Sequence, residues 1–245
     1  MTLQEFFAAH PKVALGFSGG VDSSYLLYAA KQAGADVRPY FAKTQFQPEF
    51  ELEDAKRLAE LVDIELTILP YDVLSAAGFN PPDRCYYCKT ALFGALVAQA
   101  KADGYDTIID GTNASDDAGD RPGMKALQEM QVLSPLRLCG LTKQDIREKS
   151  KEAGLFTWDK PSYACLATRF PAGVQITEEG LKKVEQAEST LFDLGFTDFR
   201  VRVYHGAARI QLPKAQMERG LAMRQEILDK LRPLFEGVFL DLEGR

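Results

Sequence analysis

At 245 residues, 46% hydrophobic and 26% charged, the chain has ordinary globular composition and enough apolar material for one large or two small domains. A net charge of −6 argues against a broad nucleic-acid footprint, which needs clustered basic surface, yet leaves room for a local basic pocket. No run approaches the ~18 apolar residues of a membrane span, and Met1-Thr2-Leu3-Gln4-Glu5 lacks the basic start of a secretory signal, so a cytoplasmic protein without membrane attachment is expected.

Thr2 to His10 reads as a short amphipathic helix with Leu3, Phe6 and Phe7 on one side. Val13-Ala14-Leu15-Gly16-Phe17 is a first strand, then come Ser18-Gly19-Gly20-Val21-Asp22-Ser23 and a helix over Ser24 to Ala30. Two adjacent glycines permit positive φ and close approach of a ligand, so successive N–H groups at a helix start can line a nest for an anion. The Ser18 and Ser23 hydroxyls add donors. Asp22 would repel a phosphate unless a cation lay between them, which assigns it a Mg²⁺ held with a triphosphate.

Asp36 to Ala42 is a second strand, with Pro39 awkward for a central position. Pro48 opens a helix whose stripe of Phe50, Leu52, Ala55, Leu58, Ala59, Leu61 and Val62 is apolar, with Glu53 and Arg57 as an i,i+4 pair. Glu65 to Leu69 is a third strand. This alternation predicts an α/β fold, a parallel sheet with helices on both faces, whose ligands sit beyond the strands' carboxyl ends. Asn80-Pro81-Pro82-Asp83 is a breaker, and Asp83 is expected to cap a helix that begins Arg84-Cys85-Tyr86-Tyr87-Cys88-Lys89 and runs to Lys101. Thr107 to Asp110 is a further strand, ending in the polar loop Gly111-Thr112-Asn113-Ala114-Ser115-Asp116-Asp117.

Thr142 to Ala153 is a capped helix with Gly154 as its stop, and Trp158 to Gly173 has neither helical nor strand period, as functional loops often lack. Then the style changes. A helix over Thr177 to Leu194, strands Phe199 to Tyr204 and Ala207 to Leu212 joined by His205-Gly206, a helix over Met217 to Leu234 and a strand over Gly237 to Leu242 predict a small α+β domain with an antiparallel sheet. The domain reading is 1–174 and 175–245, with His205 a turn residue and Tyr86 and Tyr87 in core packing.

Cys85 and Cys88 form a C-x-x-C pair at a helix start, Cys165 stands in the irregular stretch near Lys160 and Arg169, and Cys139 has an apolar, core-like context. Spacing alone leaves three readings open: zinc on all four cysteines, a redox dithiol at Cys85 and Cys88, or an iron–sulfur cluster on Cys85, Cys88 and Cys165.

Ser-Gly-Gly-x-Asp-Ser after a first strand resembles the pyrophosphate loop of the ATP pyrophosphatase (PP-loop) superfamily, which cleaves ATP between the α and β phosphates. It is no Walker A loop, because no Gly-Lys-Ser/Thr follows. The resemblance implies ATP contacts from Ser18, Gly19, Gly20, Asp22 and Ser23, and its Gly-x-Asn-x-x-Asp segment adds Asn113, Asp116 and Asp117. From Ser18 to Gly173 the order Ser-Gly-Gly-Val-Asp-Ser, Arg-Cys-Tyr-Tyr-Cys-Lys, Asp-Gly-Thr-Asn-Ala-Ser-Asp, Ser-Pro-Leu, Leu-Thr-Lys and Asp-Lys-Pro-Ser-x-x-Cys-Leu-Ala-x-Arg-Phe-Pro-x-Gly resembles the LarE family. These are ATP-dependent sulfurtransferases that build the thiocarboxylates of the nickel-pincer nucleotide cofactor.

By that resemblance Cys165 supplies or carries the sulfur. Some members sacrifice this cysteine to dehydroalanine, whereas others add two cysteines and use a [4Fe–4S] cluster, and Cys85 and Cys88 place this chain with the second kind. The implied substrate is an anionic pyridinium dicarboxylate mononucleotide. Arg200 and Arg202, alternating onto one strand face, are assigned its phosphate together with Arg169. ATP, Mg²⁺, a [4Fe–4S] cluster, sulfide or another sulfur donor, and a homo-oligomer complete the expectation. The alternative within the superfamily is a tRNA-thiolating enzyme, against which the acidic balance weighs.

Overall fold

The computed structural model describes residues 1–116 and 122–245. The chain divides into two compact units, one of residues 1–77 with 83–162, the other of 78–82 with 163–245.

The first unit opens with α1 (Leu3–Ala9), whose capping box closes through Glu5 N to Thr2 Oγ1 at 3.2 Å and Thr2 N to Glu5 Oε2 at 2.7 Å. Then follow β1 (Lys12–Gly16), α2 (Val21–Gln32), β2 (Asp36–Lys43), α3 (Glu49–Leu61), β3 (Thr67–Pro70) and α4 (Val73–Ala77). After the excursion into the second unit come α5 (Arg84–Ala102), β4 (Ile108–Asp110), α6 (Pro122–Glu129), α7 (Pro135–Leu138) and α8 (Lys143–Glu152). The sheet order is β3-β2-β1-β4, every pair parallel. Strand alternation splits β1 between two cores: Val13 and Leu15 join Leu26 of α2 and Leu58 of α3, whereas Ala14 joins Leu96 and Ala100 of α5. Helices therefore cover both faces, as the alternation of strands and helices predicts.

Pro39 sits in a central strand without breaking the ladder. Tyr40 O accepts from Phe17 N on the β1 side, so the neighbouring Pro39 faces β3, where pairing starts only at Tyr40. Three local expectations need correction. Asp83 occupies the cap position of α5 but makes no side-chain cap bond, because its φ −93°, ψ 19° is not the extended geometry that lets a cap side chain reach back. Glu53 pairs with Lys56 at 3.0 Å, while Arg57 lies 4.1 Å over the Phe156 ring. Tyr87 is 40% exposed rather than core.

The second unit contains α9 (Glu178–Asp193), β5 (Arg200–Tyr204), β6 (Ala207–Gln211), α10 (Met217–Ala222), α11 (Arg224–Leu231) and β7 (Val238–Leu240). His205 at φ 47° and Gly206 at φ 77° form the two-residue turn of the β5–β6 hairpin, where positive φ at both positions matches the strand twist. The sheet is mixed, not antiparallel. The helical return through α10 and α11 is long enough to bring β7 back parallel to β6. The single helix expected over Met217 to Leu234 is two, broken at Met223, whose ψ of 14° leaves the helical region.

Candidate functional site

In the first unit the site forms where β1 and β4 end. Gly19 takes φ 68°, and a Cβ there would stand 3.1 Å from Glu51 O and Ala55 N, so only glycine lets the loop lie against α3. Gly20, also expected at positive φ, has φ −80° and serves as the N-cap of α2. It brings no side chain to the helix start, and the first backbone bond closes at Ser24 N to Gly20 O. The amides of Val21, Asp22 and Ser23 precede that bond and point out of the helix end. Ser18 and Ser23 pack their hydroxyls 3.0 Å apart beside them.

The loop after β4 meets this turn at Gly111, where a Cβ would come within 2.9 Å of Ser23 N. Asn113 and Asp116 shape that loop, with Asn113 N donating to Asp116 Oδ2 at 2.9 Å and Ser115 N to Asn113 Oδ1 at 2.8 Å. Arg137 ties it down through Asp116 O at 2.6 Å and Asn113 O at 3.3 Å. Asp117 lies outside the described residues.

Two lysines converge from elsewhere in the chain. Lys143 Nζ lies 2.7 Å from Asp22 Oδ2. Lys160 Nζ lies 2.6 Å from Asp54 Oδ2 and 3.4 Å from Gly19 O. The second oxygen of Asp22, Oδ1, is buried and makes no hydrogen bond. Burial pushes the Asp22 carboxyl above the usual range and the Asp116 carboxylate adds to that push, against the pull of Lys143 and the nearby Asn113 amide.

Cys85 is exposed and Cys88 half-buried, one turn apart at the start of α5, and none of the four cysteines forms a disulfide. Cys139 packs against the core, and burial pushes its thiol up. Among the described residues no group of three or more His, Cys, Asp and Glu is set to hold a metal ion.

In the second unit Cys165 opens a short 3₁₀ turn, Leu166–Arg169. Arg169 is 1% exposed and paired with Glu188 at 2.8 Å. Arg200 is buried with its guanidinium 5.2 Å over the Tyr163 ring. Arg202 reaches Gln211 Oε1 and Thr168 O, each at 2.6 Å. Burial, followed by the charges of Arg169 and Arg245, pushes Arg200 down to about 10, and Arg202 is lowered by burial and by Arg169, Arg209 and Arg245. Arg169, Arg200, Arg209 and Arg245 pair here with Glu188, Asp198 and Asp241, which brings several guanidiniums close together.

No family model matches the chain. An uncharacterized protein of Synechocystis sp. is 35% identical over 250 residues, which span 99% of this chain and 92% of that protein. The pyridinium-3,5-bisthiocarboxylic acid mononucleotide synthase of Lactiplantibacillus plantarum is 33% identical over 238 residues, 95% of this chain and 86% of the synthase. The chain belongs to the LarE family. It is thus a sulfur-transferring enzyme of the PP-loop ATP pyrophosphatase type. A tRNA-specific 2-thiouridylase of Clostridium botulinum is 29% identical over 182 residues, 60% of this chain and 52% of the thiouridylase, a more distant PP-loop relative.

Of the residues the sequence singles out in this LarE chain, Ser18, Gly19, Gly20, Asp22, Ser23 and Asn113 come together in the first unit. Arg169, Arg200 and Arg202 come together around the Cys165 turn in the second. Cys85 and Cys88 belong to the first unit and Cys165 to the second. Sequence reasoning gave no role to Lys143 and Lys160, although both stand inside quoted motifs, Leu-Thr-Lys and Asp-Lys-Pro-Ser. A lysine in a motif of an anion-binding protein was the available signal. Among the described residues no helix is long and apolar enough to cross a membrane.

Proposed function

We propose that this LarE-family chain uses ATP to adenylate a carboxylate of an anionic pyridinium dicarboxylate mononucleotide and then replaces the activated oxygen with sulfur, releasing AMP and pyrophosphate. Asp22 carries the reading: its buried Oδ1 has no hydrogen bond, at a helix start whose amides face outward. A buried anionic oxygen without a partner is costly, and a divalent cation removes that cost. Mg²⁺ held through Asp22 would neutralise charge on the departing pyrophosphate. The amides and hydroxyls of Ser18 to Ser23 and the side chain of Asn113 bind the nucleotide. Lys143 and Lys160, exchanging their carboxylate partners for phosphate oxygens, take the part that the P-loop lysine plays in Walker proteins.

The substrate carboxylate attacks the α-phosphorus and pyrophosphate leaves. Arg200 and Arg202 hold the mononucleotide phosphate, and Arg169, buried with its nitrogens on Glu188 and the Cys165 turn, adds its charge from behind them. The Cys165 thiolate then attacks the carbonyl carbon, and AMP leaves with the former carboxylate oxygen. On the sacrificial route the Cys165 Cα proton goes to a base and the Cβ–S bond breaks, leaving dehydroalanine and a thiocarboxylate. Cys85, Cys88 and Cys165 remain the proposed ligands of a [4Fe–4S] cluster on thiolate chemistry alone, and no step here runs through it. In this division of labour 1–174, which takes in the Cys165 turn of the second compact unit, is the ATP pyrophosphatase domain, and 175–245 is the substrate-binding and oligomerisation domain of a cytoplasmic homo-oligomer.

The test is to incubate anaerobically purified protein with ATP, Mg²⁺ and the dicarboxylate mononucleotide, and to follow pyrophosphate, iron and protein mass. Pyrophosphate release that requires the mononucleotide supports the reading. Loss of the mass of one H₂S from the Cys165 peptide identifies the sacrificial route, whereas iron and sulfide that disappear in Cys85→Ala identify the cluster. Release triggered by bulk tRNA and not by the mononucleotide would overturn the substrate assignment.

A further inference from the structure

Helix α9 carries Leu181, Val184 and Leu191 on its buried stripe, and the position between them at the same spacing holds Glu188, 1% exposed. A carboxylate taken out of water at a core position costs several kcal/mol unless it is fully paired, and a leucine would pack there without that cost. The pairing is complete. Oε1 accepts from Arg169 Nε at 2.9 Å and from Val201 N at 2.8 Å. Oε2 accepts from Arg169 Nη2 at 2.8 Å and from the Tyr163 hydroxyl. The Arg169 bond is bidentate, the geometry that fixes a guanidinium in one orientation.

What Arg169 does with its remaining nitrogen gives this pairing a direction. Nη1 donates to Ala164 O at 2.7 Å, to Thr168 Oγ1 at 2.9 Å and to Cys165 O at 3.4 Å. Thr168 Oγ1 and Thr168 N both donate to Cys165 O, at 2.8 and 3.0 Å. Glu188 thus grips the chain on both sides of Cys165, through Tyr163 before it and Arg169 after it.

We infer that Glu188 is a positioning residue that fixes the Cys165 turn for sulfur delivery through Arg169 and Tyr163. The inference rests on the reading that Cys165 carries the sulfur. Removing the charge leaves Arg169 with a weakened partner, and the Cys165 peptide loses its fixed orientation while α9, β5 and β6 keep their own backbone bonds.

The experiment compares wild type, Glu188→Gln and Tyr163→Phe by two readouts. The first is amide hydrogen exchange over residues 163–170, which needs no activity. In Glu188→Gln these amides exchange about tenfold faster or more, the scale of one lost charge-assisted bond, with the amides of β5 and β6 other than Val201, which Glu188 itself accepts from, unchanged. The second is the ratio of thiocarboxylate formed to pyrophosphate released, which falls by a similar factor. A merely structural role would speed exchange throughout the second unit and leave the ratio alone. Tyr163→Phe removes one of the four bonds and keeps the ion pair, so it shifts both readouts the same way by less, about two- to fivefold. It carries the test if Glu188→Gln does not fold. Wild-type exchange over 163–170 and a wild-type ratio in a folded variant would overturn the inference. Sulfur transfer by Cys165→Ala would instead refute the sulfur role of Cys165, and the exchange readout would still report the Glu188 grip.

Discussion

Asp22 in the first unit, half-buried, and Glu188 in the second, buried, are both carboxylates with a cation close by, at 2.7 Å from Lys143 and 2.8 Å from Arg169. They differ in what is left over. Glu188 accepts two hydrogen bonds on each oxygen, and its partner Arg169 turns its other nitrogen to the Cys165 turn. Asp22 has one oxygen paired and the other buried with no hydrogen bond. Around Arg200 the charge has the opposite sign, with burial and the neighbouring Arg169 and Arg245 lowering its pKa while Asp198 lies 3.9 Å away. A satisfied buried network holds a chain in place, whereas an unsatisfied one stores a demand that a ligand of the right charge meets.

Breaking the satisfied member has the largest effect. Arg169→Met leaves Glu188 buried without its cation and is expected to cost about 3–5 kcal/mol of stability, read by chemical denaturation. Adding Glu188→Leu to that variant should recover part of the loss, because it removes the stranded charge while leaving Val201 N and the Tyr163 hydroxyl without their acceptor. If Arg169→Met unfolds like wild type, Glu188 is not the buried carboxylate dependent on Arg169 that the distances describe. The unsatisfied member should behave in reverse. Asp22→Ala is expected to lower mononucleotide-dependent pyrophosphate release by about 10²–10³-fold, the usual cost of removing one electrostatic stabiliser, while the protein unfolds no earlier than wild type. Adenylation at the wild-type rate would remove Asp22 from the loop chemistry.

The cation-rich site gives a smaller, sharper contrast. Inorganic phosphate should raise the wild-type melting temperature by relieving Arg200, and Arg200→Gln should need about tenfold more phosphate for the same rise. An equal phosphate response in the two proteins would show that the anion binds elsewhere.

The parts of this comparison differ in how far the sequence reveals them. The parallel sheet follows from strands separated by helices, and the Asp22 loop from glycines and hydroxyls whose local chemistry requires no tertiary knowledge. The cap at Thr142 is equally local, closing as a box with Asp145. Glu188 was missed because α9 is rich in glutamate, with Glu178, Glu179 and Glu185 beside it, and one more looks like solvated surface. Its place at apolar spacing between Val184 and Leu191 was the legible sign. The direction of β7 depends on a helical return whose path no local pattern specifies, and Asp83 fails as a cap through a backbone angle that residue identity does not dictate. Lys143 and Lys160 reach the loop from 121 and 141 positions away, distances over which only the folded chain brings charge to charge.

The smallest effect returns to Asp22 and separates its two roles. Burial raises its native pKa above the ordinary 3.8, outweighing Lys143. A carboxyl with a raised native pKa binds its proton more tightly folded than unfolded. It therefore adds stability at pH values below the ordinary pKa, and that stability is lost as pH rises through the native value. At pH 7 the buried charge is a net cost, which Asp22→Asn removes while keeping the shape and a polar contact for Lys143. Asp22→Asn should then melt a few degrees above wild type at pH 7, the shift that about 1 kcal/mol produces in a chain of this size. The gap should close as pH falls towards 4 and the wild-type carboxyl takes up its proton. A gap of the opposite sign at pH 7 would mean that the Lys143 pair stabilises the fold by more than burial costs. Asp22 would then belong with Glu188 as a carboxylate whose pairing outweighs its burial, and the contrast between the two would fail.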